Sequence, residues 1–314
     1  MGDFDVVTVG GAVVDFFLLI DTSNPHFKFN KDTNEVSFIL GEKIILDNAK
    51  ITTGGNAENV AIGLKRLGFR TSIVAEIGND EFSENIVYSL KKEGVDLSLI
   101  KRGMGESSFS VILNYRDDRT IFTKKVEKEH DFSFDKVETQ WVYLTSLGNK
   151  WEEAYQKVSY FVDEKKAKLA FNPGGSQIDK GAEGLSYLLK QTEIFIVNKE
   201  EAEKILNIKN QISNIKDLLF ELKKLGPKIV VITDGGKGSF AMDENAEVFS
   251  QDALKVRVVS KTGAGDAYSS GFLGAILSGH DIQTAMVWGT KNAASELRRV
   301  GAHEGVLTLE QMQK

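Results

Sequence analysis

The chain has 314 residues, of which 41% are hydrophobic and 27% are charged, so it can bury a full core like an ordinary globular enzyme. Its net charge of −6 argues against a nucleic-acid partner, because binding to a phosphate backbone requires a basic surface. The chain contains no cysteine, which excludes disulfides, thiolate metal sites and thiol catalysis. An apolar strand begins at Phe4, leaving no room for a signal peptide, and we find no apolar run of about 18 residues. We therefore expect a cytoplasmic protein without a membrane partner.

Short apolar runs rich in β-formers alternate with segments of helical periodicity along most of the chain. This alternation is typical of an α/β fold in which helices cover a parallel sheet. The predicted strands span residues 5–9, 72–77, 141–144, 168–171, 194–197 and 228–233. The predicted helices span residues 57–67, 81–92, 151–166, 185–190, 199–206, 212–225, 264–277 and 281–299. We expect one domain over residues 1–314.

Two regions interrupt this alternation, at about residues 15–50 and 107–125. They are predicted to form one small separate sheet, a lid over the carboxyl edge of the main sheet, with strands at residues 16–20, 36–40, 43–46, 109–114 and 119–123. The alternative is a pair of unstructured insertions. The sheet is favoured because both regions carry alternating apolar residues that need a surface to pack against.

Residues 258–268 form the most informative segment, because an apolar strand runs there into small residues and then into a helix. The backbone N–H groups of Gly263, Ala264 and Gly265 can point at one anion, and the helix dipole adds to the attraction. Asp266 falls in the first helical turn, where a carboxylate could accept a proton from an attacking hydroxyl. The alternative role for Asp266 is a helix cap.

The segment Thr262–Asp266 resembles the C-terminal motif of the PfkB, or ribokinase-like, family of carbohydrate kinases, which reads Asp-Thr-x-Gly-Ala-Gly-Asp. A second family motif is matched by Gly54, Gly55, Asn59, Ala61, Gly68 and Gly78. The resemblance covers essentially the whole chain. It implies a three-layer αβα sandwich with a mainly parallel sheet and a β-sheet lid. It also implies transfer of the γ-phosphoryl group of ATP, with Mg²⁺, to a hydroxyl of a sugar or sugar-like molecule, with Asp266 as the base.

The resemblance also implies an acceptor site. Asp15 would bind acceptor hydroxyls, and a carboxylate suits this role because it can accept two hydrogen bonds. Gly54 and Gly55 would let the backbone approach the substrate, and Asn59 would supply an amide unless it merely caps its helix. Phe109 on the predicted lid would suit stacking on a ring or a base, although packing in a core is the alternative.

The nucleotide site implied by the resemblance draws on two motifs. Asn198 and Glu201 match Asn-x-x-Glu, which organises Mg²⁺ through water near the phosphates, although the same pattern is common at helix starts. Thr233, Gly235 and Gly238 match the nucleotide loop Thr-x-Gly-x-x-Gly, which differs from a Walker A loop.

Two single residues are also assigned to the nucleotide, Lys261 before the glycine motif and Asn292 on a helix that walls the adenine pocket in the family. Ordinary helix packing is the alternative for Asn292. The four histidines, which include His303, lack ligand spacing, so we expect no metal or triad role for them.

Three departures from the family pattern argue against particular ligands, namely a monovalent cation, ribose and an anionic sugar acid. Ser260 replaces the first Asp of the C-terminal motif, which argues against a bound monovalent cation. Val13 stands where ribokinases have Asn, which disfavours ribose as the acceptor. Residues 171–176 lack the Arg of ketodeoxygluconate kinases and fructokinases, which disfavours an anionic sugar acid.

Two alternatives to a sugar kinase remain at this point. An adenosine-type nucleoside kinase of the same fold is compatible with the apolar Val13 and the lid aromatics. A non-catalytic sugar or nucleotide sensor is the other, and the retained Asp266 argues against it. The lid also suggests a homodimer, because an exposed sheet needs a partner or other protection.

Overall fold

The computed structural model describes residues 3–116, 118–135, 137–208 and 214–314. Its strands, in chain order, are β1 (Phe4–Val9), β2 (Val13–Ile20), β3 (Lys28–Asn30), β4 (Glu35–Ser37), β5 (Asn48–Gly54), β6 (Thr71–Ile77), β7 (Ile100–Arg102), β8 (Phe109–Tyr115), β9 (Asp118–Lys124), β10 (Thr139–Thr145), β11 (Lys168–Asn172), β12 (Thr192–Asn198), β13 (Ile229–Thr233), β14 (Ser239–Met242) and β15 (Val248–Gln251). Its helices are α1 (Asn56–Arg66), α2 (Glu81–Glu93), α3 (Trp151–Lys165), α4 (Gly175–Ile178), α5 (Gly181–Leu189), α6 (Lys199–Ile205), α7 (Ile215–Lys224), α8 (Ala264–Leu277), α9 (Ile282–Glu296) and α10 (Leu309–Gln313).

The main sheet has nine strands in the order β15-β14-β13-β12-β11-β10-β1-β6-β7. Its strands from β13 to β7 are parallel, whereas β14 and β15 add to the edge in antiparallel fashion. The inner strands are apolar on both faces because helices cover both sides. The predicted α/β class is confirmed, and the carboxyl ends of β1, β11, β12 and β13 meet at one edge.

Two helical layers complete the sandwich. On one face α3, α5, α6 and α7 pack around a cluster that includes Tyr155 and Phe171. On the other face α1, α8 and α9 pack around a cluster that includes Tyr143 and Phe272. Helix α8 is buried from Asp266 to Ala275 because it lies between α1 and α9. This central position fixes the start of α8 against the sheet.

The lid is a four-stranded sheet in the order β5-β2-β8-β9, accompanied by a separate β3-β4 hairpin. The expectation of one sheet was therefore partly wrong. Residues 43–46 form no strand; Ile44 and Leu46 instead pack as a loop against Ile20 and Tyr115. The sequence prediction missed β5, because its polar Asn, Lys and Thr residues weaken the apolar alternation.

Four further strands, β3, β7, β14 and β15, were not predicted because they are three or four residues long. The helix predicted for residues 212–225 begins at Ile215, and residues 212–213 lie outside the described residues. Among the described residues, no helix is both long enough and apolar enough to cross a membrane.

Candidate active site

The start of α8 presents backbone N–H groups beside free space. Gly263 caps the helix with a φ of 78°, and a Cβ there would overlap the carbonyl oxygen of Ala302, so only glycine fits. A Cβ at Gly265 would meet no atom within 4 Å, so there is free space in front of this residue. The first N–H groups of a helix lack intrahelical partners, so those of residues 263–265 can bind an anion there if Ala264 gives up its long, 3.5 Å bond to the carbonyl oxygen of Lys261.

Asp266 lies in the first turn of α8 and is only 8% exposed. Burial raises its pKa to about 7, and the donation of a hydrogen bond by Asn59 opposes this rise. The Nδ2 atom of Asn59 is 2.7 Å from Oδ2 of Asp266. The nearby carboxylates of Glu201, Glu296 and Asp15 raise the pKa further. A carboxylate with a pKa near neutrality is suited to take up a proton and release it again.

Asp15 stands on β2 of the lid and is 4% exposed. Burial raises its pKa to about 6, and a hydrogen bond with Ser110 on β8 lowers it. Asp15 pairs in register with Thr52 and Ser110, so these polar side chains form one row across the lid. The row faces the site, because Asp15 is close enough to raise the pKa of Asp266.

Packing within the protein already requires both glycines at the end of β5. A Cβ at Gly54 would lie 2.5 Å from Oδ2 of Asp15, so the glycine makes room for this carboxylate. Gly55 has a φ of 100°, and a Cβ there would lie 2.5 Å from the carbonyl oxygen of Gly11. Asn59 follows one turn into α1, so it does not cap the helix, and it reaches Asp266 instead.

Phe109, which was predicted to bind substrate, lies on the face of the lid opposite to Asp15. Side chains alternate across a sheet, and Ser110 shares the face of Asp15, so Phe109 points to the other face. There it packs edge-on against Phe16 and Phe82, with ring centroids 5.9 and 5.7 Å away. The core role, which was the alternative, is the one observed.

Four of the residues predicted to bind the nucleotide, Asn198, Thr233, Gly235 and Gly238, lie where β12 and β13 end. Asn198 and Thr233 are register partners at the last position of these strands. The following turn is closed by the N–H of Asp234, which donates to the carbonyl oxygen of Gly238 over 2.8 Å. Gly235 and Gly238 both have positive φ, of 51° and 93°, and Gly235 faces free space. The loop therefore offers open backbone at Gly235, whereas the glycine at 238 is required by packing against the backbone of Gln251.

Asn198 and Glu201 form a reciprocal capping box at the start of α6. Asn198 Oδ1 accepts from the N–H of Glu201, and Glu201 Oε2 accepts from the N–H of Asn198, each over 2.9 Å. Burial raises the pKa of Glu201. The other oxygen of Glu201 could still hold water on a magnesium ion. Within the described parts of the chain, no cluster of three His, Cys, Asp or Glu side chains could hold a metal, so phosphate and water oxygens would have to complete the shell.

The amide of Asn292, which was predicted to line the adenine pocket, makes its hydrogen bonds within the protein. The side chain is fully buried, and its Nδ2 donates to the carbonyl oxygen of Ala267 and to Ser270 Oγ. Its Oδ1 accepts from the N–H of Leu307 over 2.7 Å. The amide is thus committed to joining α8, α9 and the C-terminal loop. Lys261, in contrast, is half exposed, and its Nζ contacts Asp118 of the lid over 3.3 Å.

The sequence analysis missed two buried groups at the site. Glu58 on α1 is fully buried and close to Asp15, and burial raises its pKa well above the ordinary value. His303 lies 3.1 Å from Oδ1 of Asn59 through its Nδ1. No spacing rule could find this contact, because the two residues are 244 positions apart.

Comparison with known proteins assigns the class. The model for "pfkB family carbohydrate kinase" matches residues 20–309, so the chain belongs to this family. It is therefore a phosphotransferase that acts on sugar hydroxyls.

Individual proteins similar to the chain are also named as kinases. The chain is 26% identical to a 5-dehydro-2-deoxygluconokinase of Bacillus subtilis over 99% of this chain and 95% of the relative. It is 25% identical to an ATP-dependent 6-phosphofructokinase of Thermoanaerobacterium thermosaccharolyticum over 95% of this chain and 89% of the relative. In fold it is similar to adenosine kinase from Sinorhizobium meliloti, with a TM-score of 0.79, 22% identity, and coverage of 98% of this chain and 97% of the other.

Proposed function

We propose that the chain transfers the γ-phosphoryl group of ATP to a hydroxyl of a sugar or sugar-like acceptor, with Asp266 as the base. The observation that carries this proposal is the placement of Asp266. Its buried carboxylate lies in the same helical turn as the open backbone at Gly265, and one of its oxygens is held by Asn59. The acceptor-binding candidate Asp15 is also within electrostatic reach.

Each residue has a defined part in the transfer. Asp15 accepts hydrogen bonds from acceptor hydroxyls and orients the molecule. Asp266 takes the proton of the attacking hydroxyl as the new bond from acceptor oxygen to phosphorus forms and the bond from phosphorus to the bridging oxygen of ADP breaks. The N–H groups of Gly263, Ala264 and Gly265 stabilise negative charge on the group in transfer.

The nucleotide would lie along the loop of Thr233, Gly235 and Gly238, where the free space beside Gly235 supports a close approach of phosphate or ribose. Asn198 and Glu201 would hold Mg²⁺ through water, and the ion would neutralise phosphate charge. Support for this role is the free oxygen of Glu201 and its proximity to Asp266. Ser260 supplies no carboxylate, so we propose no monovalent cation.

A sugar is a better acceptor candidate than a nucleoside. The lid aromatics favoured a nucleoside, but Phe109 and Phe16 lie on the face of the lid away from Asp15. The relatives are named for a sugar acid and a sugar phosphate. Against a sugar acid, the segment of residues 171–176 has no Arg, and Asn172 is bonded to the backbone of Ile196.

The test is a panel of sugars, sugar acids, sugar phosphates and nucleosides with Mg-ATP, in which ADP release and phosphorylated product are both measured. Acceptor-dependent ADP release that is lost in Asp266→Asn is the expected result. Binding of a sugar without any transfer would instead identify a sensor. The single-domain boundaries, the cytoplasmic location and a homodimer through the lid stay predictions.

A further inference from the structure

Asp266 ends a buried chain of hydrogen bonds that begins at His303. Nδ1 of His303 is 3.1 Å from Oδ1 of Asn59, and Nδ2 of Asn59 is 2.7 Å from Oδ2 of Asp266. The three side chains are 5%, 4% and 8% exposed. We propose that His303 is a positioning residue for phosphoryl transfer, which fixes the amide of Asn59 so that it donates to Asp266. The proposal rests on the role of Asp266 as base in the proposed function.

The direction of donation follows from the chemistry of the three groups. In its ionised form, in which it would act as a base, Asp266 only accepts, so Asn59 must turn its NH₂ toward Asp266 and its carbonyl oxygen toward His303. His303 must then donate from Nδ1–H. Burial lowers the pKa of His303 to about 4, so the ring is neutral near pH 7 and carries one N–H. The hydrogen bond to Asn59 places this proton on Nδ1.

This arrangement excludes the flipped amide. If Asn59 rotated by half a turn, its oxygen would face the carboxylate of Asp266 and its NH₂ would face the N–H of His303. Both contacts would be repulsive in a buried site, where unpaired polar groups are costly. His303 therefore commits Oδ2 of Asp266 to Asn59 and leaves Oδ1 available for the acceptor hydroxyl.

The loop that carries His303 is held firmly on both sides. Nη1 of Arg66 on α1 donates to the carbonyl oxygens of His303 and Val306 over 3.1 and 2.9 Å. Arg66 is itself paired with Glu93 on α2 over 2.7 Å. From α9, Oε2 of Glu296 accepts from the N–H of Gly305 over 2.6 Å. The imidazole is thus positioned by two helices, as a precise donor requires.

The residue before His303 contacts the other parts of the site. The carbonyl oxygen of Ala302 occupies the space that a Cβ of Gly263 would need. The Cβ of Ala302 would lie 3.2 Å from a Cβ at Gly54, next to Asp15. A single short loop therefore supports the anion site, the acceptor strand and the base, which explains why a buried donor is built into it.

The charged groups around Asp266 and His303 determine how the pKa of Asp266 would change if the donor of His303 were removed. Glu201, Glu296 and Asp15, from α6, α9 and β2, raise the pKa of Asp266, whereas donation by Asn59 lowers it. Around His303, Glu304 and Glu93 favour the protonated ring, and Arg66 and Lys50 oppose it. Without His303 the Asn59 amide would be free to turn, so we expect the pKa of Asp266 to rise.

A matched pair of variants tests the donor. In His303→Asn the amide Nδ2 stands at the same number of bonds from Cα as Nδ1 of histidine, so it can donate to Asn59. His303→Leu has a similar length but no donor. We expect His303→Leu to move the acidic limb of the kcat/KM profile upward by about one pH unit. At pH values below this limb, kcat/KM of the variant should be about tenfold lower than that of the wild type. Above about pH 9 it should approach the wild-type value. His303→Asn should stay within about threefold throughout, by retaining a neutral donor.

Several outcomes would overturn the proposal. A uniform loss across pH in His303→Leu, or an equal shift in both variants, would assign His303 a packing role only. Asp266→Asn, measured in parallel, separates the two hypotheses: full activity there removes the base assignment, whereas an inactive Asp266→Asn beside an unshifted His303→Leu removes only the positioning role. If His303→Leu does not fold, ¹⁵N NMR of the wild-type imidazole decides, because a proton on Nε2 instead of Nδ1 contradicts the donation.

Discussion

Nζ of Lys261 lies 3.3 Å from Oδ1 of Asp118, which joins the segment before α8 to the start of the lid strand β9. The two side chains are 44% and 60% exposed, so their attraction contributes little to the free energy of unfolding. The contact instead connects the segment proposed to bind the phosphates with the sheet proposed to cover the acceptor.

Variants of this pair distinguish two roles for Lys261. If it only holds the lid, Lys261→Ala and Asp118→Asn should raise the KM for the acceptor by a similar few-fold factor, and the double variant should be no worse than either. If Lys261 binds the phosphates, as the sequence predicts, Lys261→Ala alone should weaken ATP binding. Steady-state kinetics and calorimetric titration with ATP at two salt concentrations would decide.

Replacement of the proposed base tests the reaction directly. Asp266→Asn keeps the size of the side chain and should lower kcat by roughly 10²-fold or more, because the hydroxyl loses its proton acceptor. ATP affinity should stay nearly unchanged. The control is Asp15→Asn, which should mainly raise the KM for the acceptor. Near-normal turnover in Asp266→Asn would contradict the assignment.

The same buried carboxylate predicts how stability depends on pH. Its folded-state pKa of about 7 is above the ordinary 3.8, so the folded protein binds the proton more tightly than the unfolded chain. The stabilisation is complete below about pH 3.8 and is lost as pH rises through about 7. Asp266→Asn should therefore be more stable than wild type at pH 8 and equal to it near pH 4. Urea unfolding at the two pH values measures the difference, and a less stable variant at pH 8 would contradict it.

The rate of the proposed reaction should also depend on pH. The base acts only when ionised, and Asp15 binds hydroxyls best as a carboxylate, with pKa values of about 7 and 6. We expect kcat/KM to rise with pH through this window and then to level off. In Asp15→Asn, the rise in kcat/KM near pH 7 that comes from Asp266 should remain. A profile that is flat from pH 5 to 8 would contradict both assignments.

The sequence could predict a site residue where its role depends on its neighbours along the chain. It could not do so where the role depends on contacts with distant positions. The start of α8 at Ala264 was predicted correctly because glycines and an acidic first turn are local signals. The direction of Phe109 depended on the register of β8 with β2, and the pairing of Asn292 depended on a loop 15 residues away. His303 required the contact with α1 that only the folded chain creates. Such long-range contacts leave no spacing pattern in one sequence.

The outer face of the lid tests the predicted homodimer. Ile51 and Phe122 are 61% and 56% exposed, and both align with Phe16 and Val111 on the face away from Asp15. Exposed apolar residues on a sheet favour association. Ile51→Lys with Phe122→Lys should shift the sedimentation mass from dimer to monomer. The control Tyr160→Lys, on the distant helix α3, should not change it. A monomeric wild type would contradict the prediction.

The capping box at α6 allows the magnesium role to be separated from the helix-start role. Glu201→Gln keeps an oxygen that can accept from the N–H of Asn198, so the cap and the thermal stability should persist. The variant loses the negative charge that would hold the hydrated ion, so the Mg²⁺ concentration for half-maximal activity should rise several-fold. Asn198→Ala is the comparison, because it should also lose about 1 kcal/mol of stability with its cap.

Titration of activity with Mg²⁺ at saturating ATP measures the effect. An unchanged requirement in Glu201→Gln would leave this residue a cap alone, and turnover that persists in EDTA would remove the ion from the reaction.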